Sequence, residues 1–148
     1  MKQNSNLMSK FLLISIHEKF VDKILSGEKT IELRKSKPNI APGESLIIYT
    51  TKPKKAITAI AVINNIISLS PHEMWEKYSD KLGISKDDFD LYYKNSGKAI
   101  GIELINVYKL DDAIFLNAIK AIYPNFSPPQ TFKYLNKFST LKNFHKKN

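Results

Sequence analysis

Phe11 to Ile16 is a short run broken only by Ser15, and a run this apolar predicts a strand covered on both faces. The period then changes. Phe20, Val21, Ile24 and Leu25 fall on one stripe of residues 17–26, with Glu18, Lys19, Asp22 and Lys23 outside it, which is the pattern of an amphipathic helix. Gly27 is placed to end that helix, because a residue without Cβ enters the left-handed cap conformation cheaply. Thr30 to Arg34 alternates as a strand, with Ile31 and Leu33 on a core face and Thr30, Glu32 and Arg34 on a polar one. Pro38, Pro42 and Gly43 make residues 35–44 a loop. Leu46 to Thr51 predicts a strand ended by Lys52-Pro53. Ala56 to Ile67 is a longer one with apolar residues on both faces, as in a barrel or a covered sheet. Asn64-Asn65 marks a bulge or bend in it.

Helical signals follow. Ser70 and Glu73 form a capping box, Pro71 takes the first helical position and Gly83 closes residues 70–82, with Met74, Trp75 and Tyr78 on one face. Ser85 with Asp88 starts a second helix through Lys94, carrying Phe89, Tyr92 and Tyr93. After the turn Asn95-Ser96-Gly97, residues Ala99 to Tyr108 predict a strand, Ala113 to Leu116 a short separate one, and Asn117 to Ile122 a helical turn. Pro129 then opens a short helix containing Phe132 and Leu135. The expected organisation is a loose tail over residues 1–10, one compact α+β domain over 11–135, and a basic tail over 136–148.

Composition narrows the function classes. The chain has 148 residues and is 43% hydrophobic, enough for a real core. Its formal charge of +9 favours a polyanionic partner. The absence of cysteine excludes disulfides, thiolate metal sites and a cysteine nucleophile. No apolar run is long enough to span a bilayer. His17-Glu18-Lys19 stands where a signal peptide would need small residues, so a cytoplasmic protein is expected. His17, His72 and His145 show no metal-ligand spacing, and there is no glycine-rich phosphate loop. No metal or cofactor is therefore expected.

The polar strand face is where chemistry gathers. Arg34 is the sole arginine of a lysine-rich chain, and its planar fork suits a bidentate contact that lysine cannot make. Lys29 stands at the start of the same strand, where partial burial lowers an ammonium pKa and lets the amine act as a base. Glu32 can orient Arg34 or accept from a base edge, and Arg34 can fork onto a phosphate. Tyr49, Thr50, Thr51 and Lys52, at the end of a neighbouring strand, can add hydroxyl and ammonium contacts. Tyr92 or Tyr93 can stack on an unpaired base.

Several stretches resemble the ASCH domain of the PUA-like superfamily: LLISIHEKFVDKILSGEKTIELRK, LIIYTTKPKKAI, PHEMWEKYSDKLGISKDDFDLYYK, KAIGIELI and PPQTFKYL. They occur in the expected order over residues 11–135. The resemblance implies a PUA-like β-barrel with flanking helices and a cleft for RNA or nucleotides, with Gln130 and Phe132 at its edge. Some members hydrolyse the amide of N4-acetylcytidine with a lysine, a threonine and a glutamate. Lys29 matches that lysine, whereas the threonine position falls on Glu32 and the glutamate falls near Leu82, so two of three depart from the pattern. Thr30 or Glu103 would have to substitute. The reading is thus an RNA- or nucleotide-binding module around Lys29, Glu32 and Arg34. The alternative is a hydrolase acting on a modified nucleoside or on RNA, with Lys29 as base and Glu32 beside it. A third class is a regulatory protein-interaction module. Ligand identity and oligomeric state stay open.

Overall fold

The computed structural model describes residues 10–136. The strands are β1 (Lys10–Ile16), β2 (Ile31–Arg34), β3 (Ser45–Thr50), β4 (Ala56–Leu69), β5 (Ala99–Phe115) and β6 (Phe132–Asn136). The helices are α1 (Glu18–Ser26), α2 (Pro71–Tyr78), α3 (Lys86–Tyr92) and α4 (Leu116–Ile122), with a 3-10 turn at Ser79–Lys81. The six strands form one mixed sheet in the order β2-β5-β4-β3-β1-β6. β1 and β3 run parallel, and the other neighbours are antiparallel. The sheet curls into a half-barrel. Register shifts in the β4–β5 pair assist the curl, because each bulge bends its strand: at Ile57/Ala59 and Ile60/Val62 the extra residues lie on β5, and at Ile63/Asn65 the extra residue lies on β4. The last of them falls where Asn64-Asn65 predicted one.

Both sheet faces are covered, which is why the strands read as continuous apolar runs. Leu12, Ile14, Leu46, Ile48, Ile100 and Ile102 face inward and pack with Val21 and Ile24 of α1. Phe11, Leu13, Ile47 and Ile57 face outward under Ile119 of α4. Ile31, Leu33 and Ala99 pack outward against Met74 and Phe89 of α2 and α3. Burying one such leucine or isoleucine contributes about 1.5–3 kcal/mol.

Several local expectations hold. Gly27 caps α1 at φ 88°, with its N–H bonded to the Ile24 carbonyl. The Ser70–Glu73 capping box is formed and Pro71 opens α2. The Ser85 hydroxyl accepts from the Asp88 N–H, but α3 stops at Tyr92, short of Lys94.

Three expectations are corrected. The segment after Pro129 is strand β6 and not a helix, because β1 offers it an open edge: Phe132 pairs with Ile14, and Leu135 with Phe11. Ala113 belongs to no separate strand: β5 spans Ala99–Phe115, with residues 110–113 bulged out of the β4 register between Lys109 and Ile114, and it pairs Phe115 with Ala56. Lys10 opens β1 and its partner Asn136 ends β6, so the sheet takes in one residue of each expected tail. The rest of the first tail, and of the basic tail with Lys137, Lys142, His145, Lys146 and Lys147, lies outside the described residues.

Candidate functional site

The parallel pair sets the position of the cleft. β1 and β3 pair Ile16 with Thr50, so both strands end together and deliver His17 and Thr51 side by side, with His17 Nδ1 3.2 Å from Thr51 Oγ1. Ligand sites in open sheets favour the carboxyl ends of parallel strands. The inward face of β2, Phe20 of α1, the segment at Ile84 and the stretch Pro129–Thr131 complete a cleft of about 490 Å³. That volume lies in the range of small-molecule sites.

Glu32 stands between two cations on the cleft wall. Its Oε2 accepts from Arg34 Nη2 at 2.7 Å and from Arg34 Nε at 3.1 Å. Its Oε1 lies 3.6 Å from Lys29 Nζ. The group is withdrawn from water: Lys29 is 3% exposed and Glu32 6%. Burial holds the Lys29 ammonium below the ordinary lysine value of 10.5, the Glu32 carboxylate pulls the other way, and Arg34 and Lys23 add to the lowering.

Arg34 is a clasp. Besides Glu32 it donates through Nη2 to the Ser15 carbonyl at 2.7 Å and through Nη1 to the Thr131 carbonyl at 3.3 Å. β2 and β6 are the two ends of the sheet, so this side chain ties one edge of the half-barrel to the other. Its fork is thus engaged by protein groups on the inward side of the curl. The polar face of β2 turned inside the curl, where groups within the protein compete for the guanidinium.

Lys29 is held as tightly. Its Nζ donates to the Leu82 carbonyl at 2.6 Å. The neighbouring carbonyls are used in the same way: Lys81 accepts from the Thr30 N–H at 3.0 Å and Gly83 from Lys23 Nζ at 3.1 Å. Gly83 has φ +60°, and a Cβ there would lie 2.7 Å from Lys29 Cβ. Only glycine lets this turn close on the lysine stem.

The other expected residues divide. Thr51, Tyr92 and Gln130 line the cleft with Lys29, Glu32 and Arg34. Tyr92 is 37% exposed and Lys35 Nζ lies 4.8 Å from its ring centre. Lys52 and the buried Tyr49 line an adjoining cavity. Three side chains turn away. Thr50 is buried and bonded to the Thr58 hydroxyl at 2.7 Å. Tyr93 is buried in the α2–α3 cluster and its hydroxyl donates to the Arg34 carbonyl, so it braces β2 and offers no stacking face. Phe132 packs against the inner core. Alternation along one strand, or adjacency on one helix, separates each from the neighbour that reaches the cleft.

Ser15, His17, Phe20 and Thr131 were not singled out by sequence, yet all four line the cleft. The available signal was positional: His17 directly follows β1 and Thr51 directly follows β3. Thr30 and Glu103, the substitutes an amidohydrolase would need, are absent from the lining. Glu103 instead accepts from Asn64 at 2.8 Å. Leu82 does stand beside Lys29, with a buried apolar side chain and only its carbonyl in play.

A curled mixed sheet with α1 packed inside it defines a PUA-like domain. Comparison with known proteins narrows the class. Residues 12–123 match the family described as "Domain of unknown function (DUF365)". The chain is 30% identical over 133 residues to an ASCH domain-containing ribonuclease of Zymomonas mobilis, covering 90% of this chain and 89% of that one. The crystal structure of ASCH from Zymomonas mobilis superposes with a TM-score of 0.85 at 29% identity, covering 91% of this chain and 94% of that one. A tyrosine-to-phenylalanine variant of the Zymomonas protein gives 0.85 at 28% identity, covering 91% and 96%. The protein belongs to the ASCH domain family.

Among the described residues, no helix is long and apolar enough to cross a membrane. Nor do three or more His, Asp or Glu gather as metal ligands among them.

Proposed function

We propose that the cleft binds RNA, seating one nucleotide over Lys29 and Glu32. The observation that carries this reading is the charge balance of the cleft wall: two cations share a single carboxylate in a withdrawn pocket. With Lys29 protonated the trio has a net positive charge, which favours an anionic ligand. His17, Thr51, Gln130 and Thr131 add hydrogen-bonding groups around it, and Tyr92 offers a partly bare aromatic face. Such a mixture of cation, polar edge and ring suits an unpaired nucleotide. The similarity to a ribonuclease supports the same partner.

The test is titration of labelled single-stranded RNA. Affinity is expected to fall as salt rises, and Tyr92→Ala is expected to weaken binding by about 1–3 kcal/mol, the range for loss of one base–aromatic stack. Wild-type protein that leaves RNA unbound at low salt ends this reading.

A second reading is favoured by the depressed Lys29 pKa: the bound RNA is cleaved. A neutral Lys29 amine donates to Leu82 and toward Glu32, leaving its lone pair to take the proton of a ribose 2′-hydroxyl. The 2′-oxygen then bonds the adjacent phosphorus, the bond to the 5′-oxygen breaks, and that oxygen is protonated from solvent. The base must be deprotonated, so cleavage is expected to rise with pH through a midpoint below 10.5 and level off above it. A rate that is flat through the alkaline range would remove Lys29 as the base. Hydrolysis of an acylated nucleoside has less support, since no described carboxylate stands at the Leu82 position.

A further inference from the structure

The cleft continues past Thr51. Ser15, His17, Thr51 and Pro129 also wall a second concavity of about 440 Å³, which passes Tyr49, Lys52 and Lys55. Lys55 and Leu116 in turn wall a third, of about 540 Å³, bounded by Lys54, Phe115 and Lys120. Shared walls place the three concavities next to one another along one side of the molecule.

The chemistry changes along that side. At the inner end the charges are locked to one another. The outer two concavities are lined by Lys52, Lys54, Lys55 and Lys120 and by no Asp or Glu. None of these lysines joins an ion pair among the described residues. The turn that presents them is fixed. Lys55 sits at φ 53°, unusual for a residue with a Cβ, and its carbonyl accepts from the Leu116 N–H at 2.9 Å. Phe115 stands at its side, 47% exposed, with Lys54 Nζ 5.7 Å from the ring centre. An acidic polypeptide would use the lysines alone. A single-stranded polynucleotide uses both features, its phosphates on the cations and a base on the ring.

We infer that the path from Thr51 to Lys120 is a track for the strand flanking the nucleotide held in the cleft. The ligand is then a single-stranded polynucleotide and not a free nucleoside. This inference rests on the reading of the cleft as a nucleotide site.

The experiment compares a trinucleotide with a dodecamer of the same single-stranded RNA, by fluorescence anisotropy at several salt concentrations. The wild type is expected to bind the dodecamer about tenfold or more tightly than the trinucleotide. Lys54→Ala combined with Lys120→Ala is expected to remove most of that advantage and to reduce the log–log salt slope by roughly 1.4, at about 0.7 per phosphate contact on a single strand. Phe115→Ala is expected to lower dodecamer affinity without changing the slope. Equal wild-type affinity for both lengths, or a Lys54/Lys120 double variant with full dodecamer affinity, overturns the track and leaves the cleft reading standing. A wild type that binds neither length overturns both. Displacement of the dodecamer by polyglutamate at matched charge shows an acidic protein segment to be the occupant and overturns the strand assignment. Circular dichroism melts of each variant confirm that the fold is kept.

Discussion

Replacing Glu32 with glutamine is expected to destabilise the domain by about 3–5 kcal/mol, the usual cost of removing one partner from a buried ion pair. The amide keeps the shape and can still accept from Arg34, but the negative charge between the buried Lys29 and the partly buried Arg34 is gone. Urea unfolding at neutral pH measures the loss. A second variant separates charge from packing. Adding Lys29→Met to Glu32→Gln removes one of the opposed cations, so the double variant is expected to be less destabilised than the sum of the two single changes. The deficit of Glu32→Gln is also expected to shrink as pH rises toward 10.5. Without the carboxylate, Lys29 loses the one influence that raises its pKa, and the folded state releases a proton that the unfolded chain still holds. A Glu32→Gln protein as stable as the wild type would show that the carboxylate is not holding the cations together.

On the reading in which the bound RNA is cleaved, Lys29→Met alone is expected to lower cleavage by about 10²–10⁴-fold, the usual range for a general base. Methionine keeps an unbranched apolar stem against Gly83, so the turn at residues 81–84 keeps its packing. The Leu82 carbonyl loses its donor, a cost of about 1–3 kcal/mol, while Glu32 keeps Arg34 as its partner, and circular dichroism of the variant checks that it is folded. Single-turnover cleavage of a labelled single-stranded RNA, with binding measured on the same variant, separates chemistry from affinity. Wild-type cleavage by the methionine variant would take Lys29 out of the reaction. Loss of binding with unchanged single-turnover rate at saturation would make Lys29 a ligand-holding group only.

Much of the scaffold was legible because its signals are local. Ser70 with Glu73, Pro71, and Gly27 after a four-residue apolar stripe each act within one turn of chain. The two-residue period of β2 separated Ile31 and Leu33 from Glu32 and Arg34, and the structure keeps that division. Period alone does not say which face turns inward when a sheet curls, so it could not show that Arg34 would grip Ser15 and Thr131 across the barrel. The misreading after Pro129 has a similar origin. Proline is compatible with a helix start and with extended chain, and the free edge of β1, more than a hundred residues away, decides between them. His17 gave no spacing signal because its partner, Thr51, is supplied by a parallel strand and not by the adjacent chain.

The clasp at Arg34 has a bearing on how the protein behaves in a crowded solution. A sheet with two ends carries two rows of unpaired backbone groups, which invite a second copy to add on and begin an aggregate. Here β2 is four residues long and β6 five, and they are the two ends of the sheet. Arg34 reaches from β2 to the Thr131 carbonyl, and the Tyr134 hydroxyl of β6 accepts from the Asn39 N–H at 2.7 Å. Two side-chain bridges thus link the short edges, so the chain gains the protection of a closed barrel without a ladder to close it. The same arginine that orders the cleft therefore also joins the two ends of the sheet.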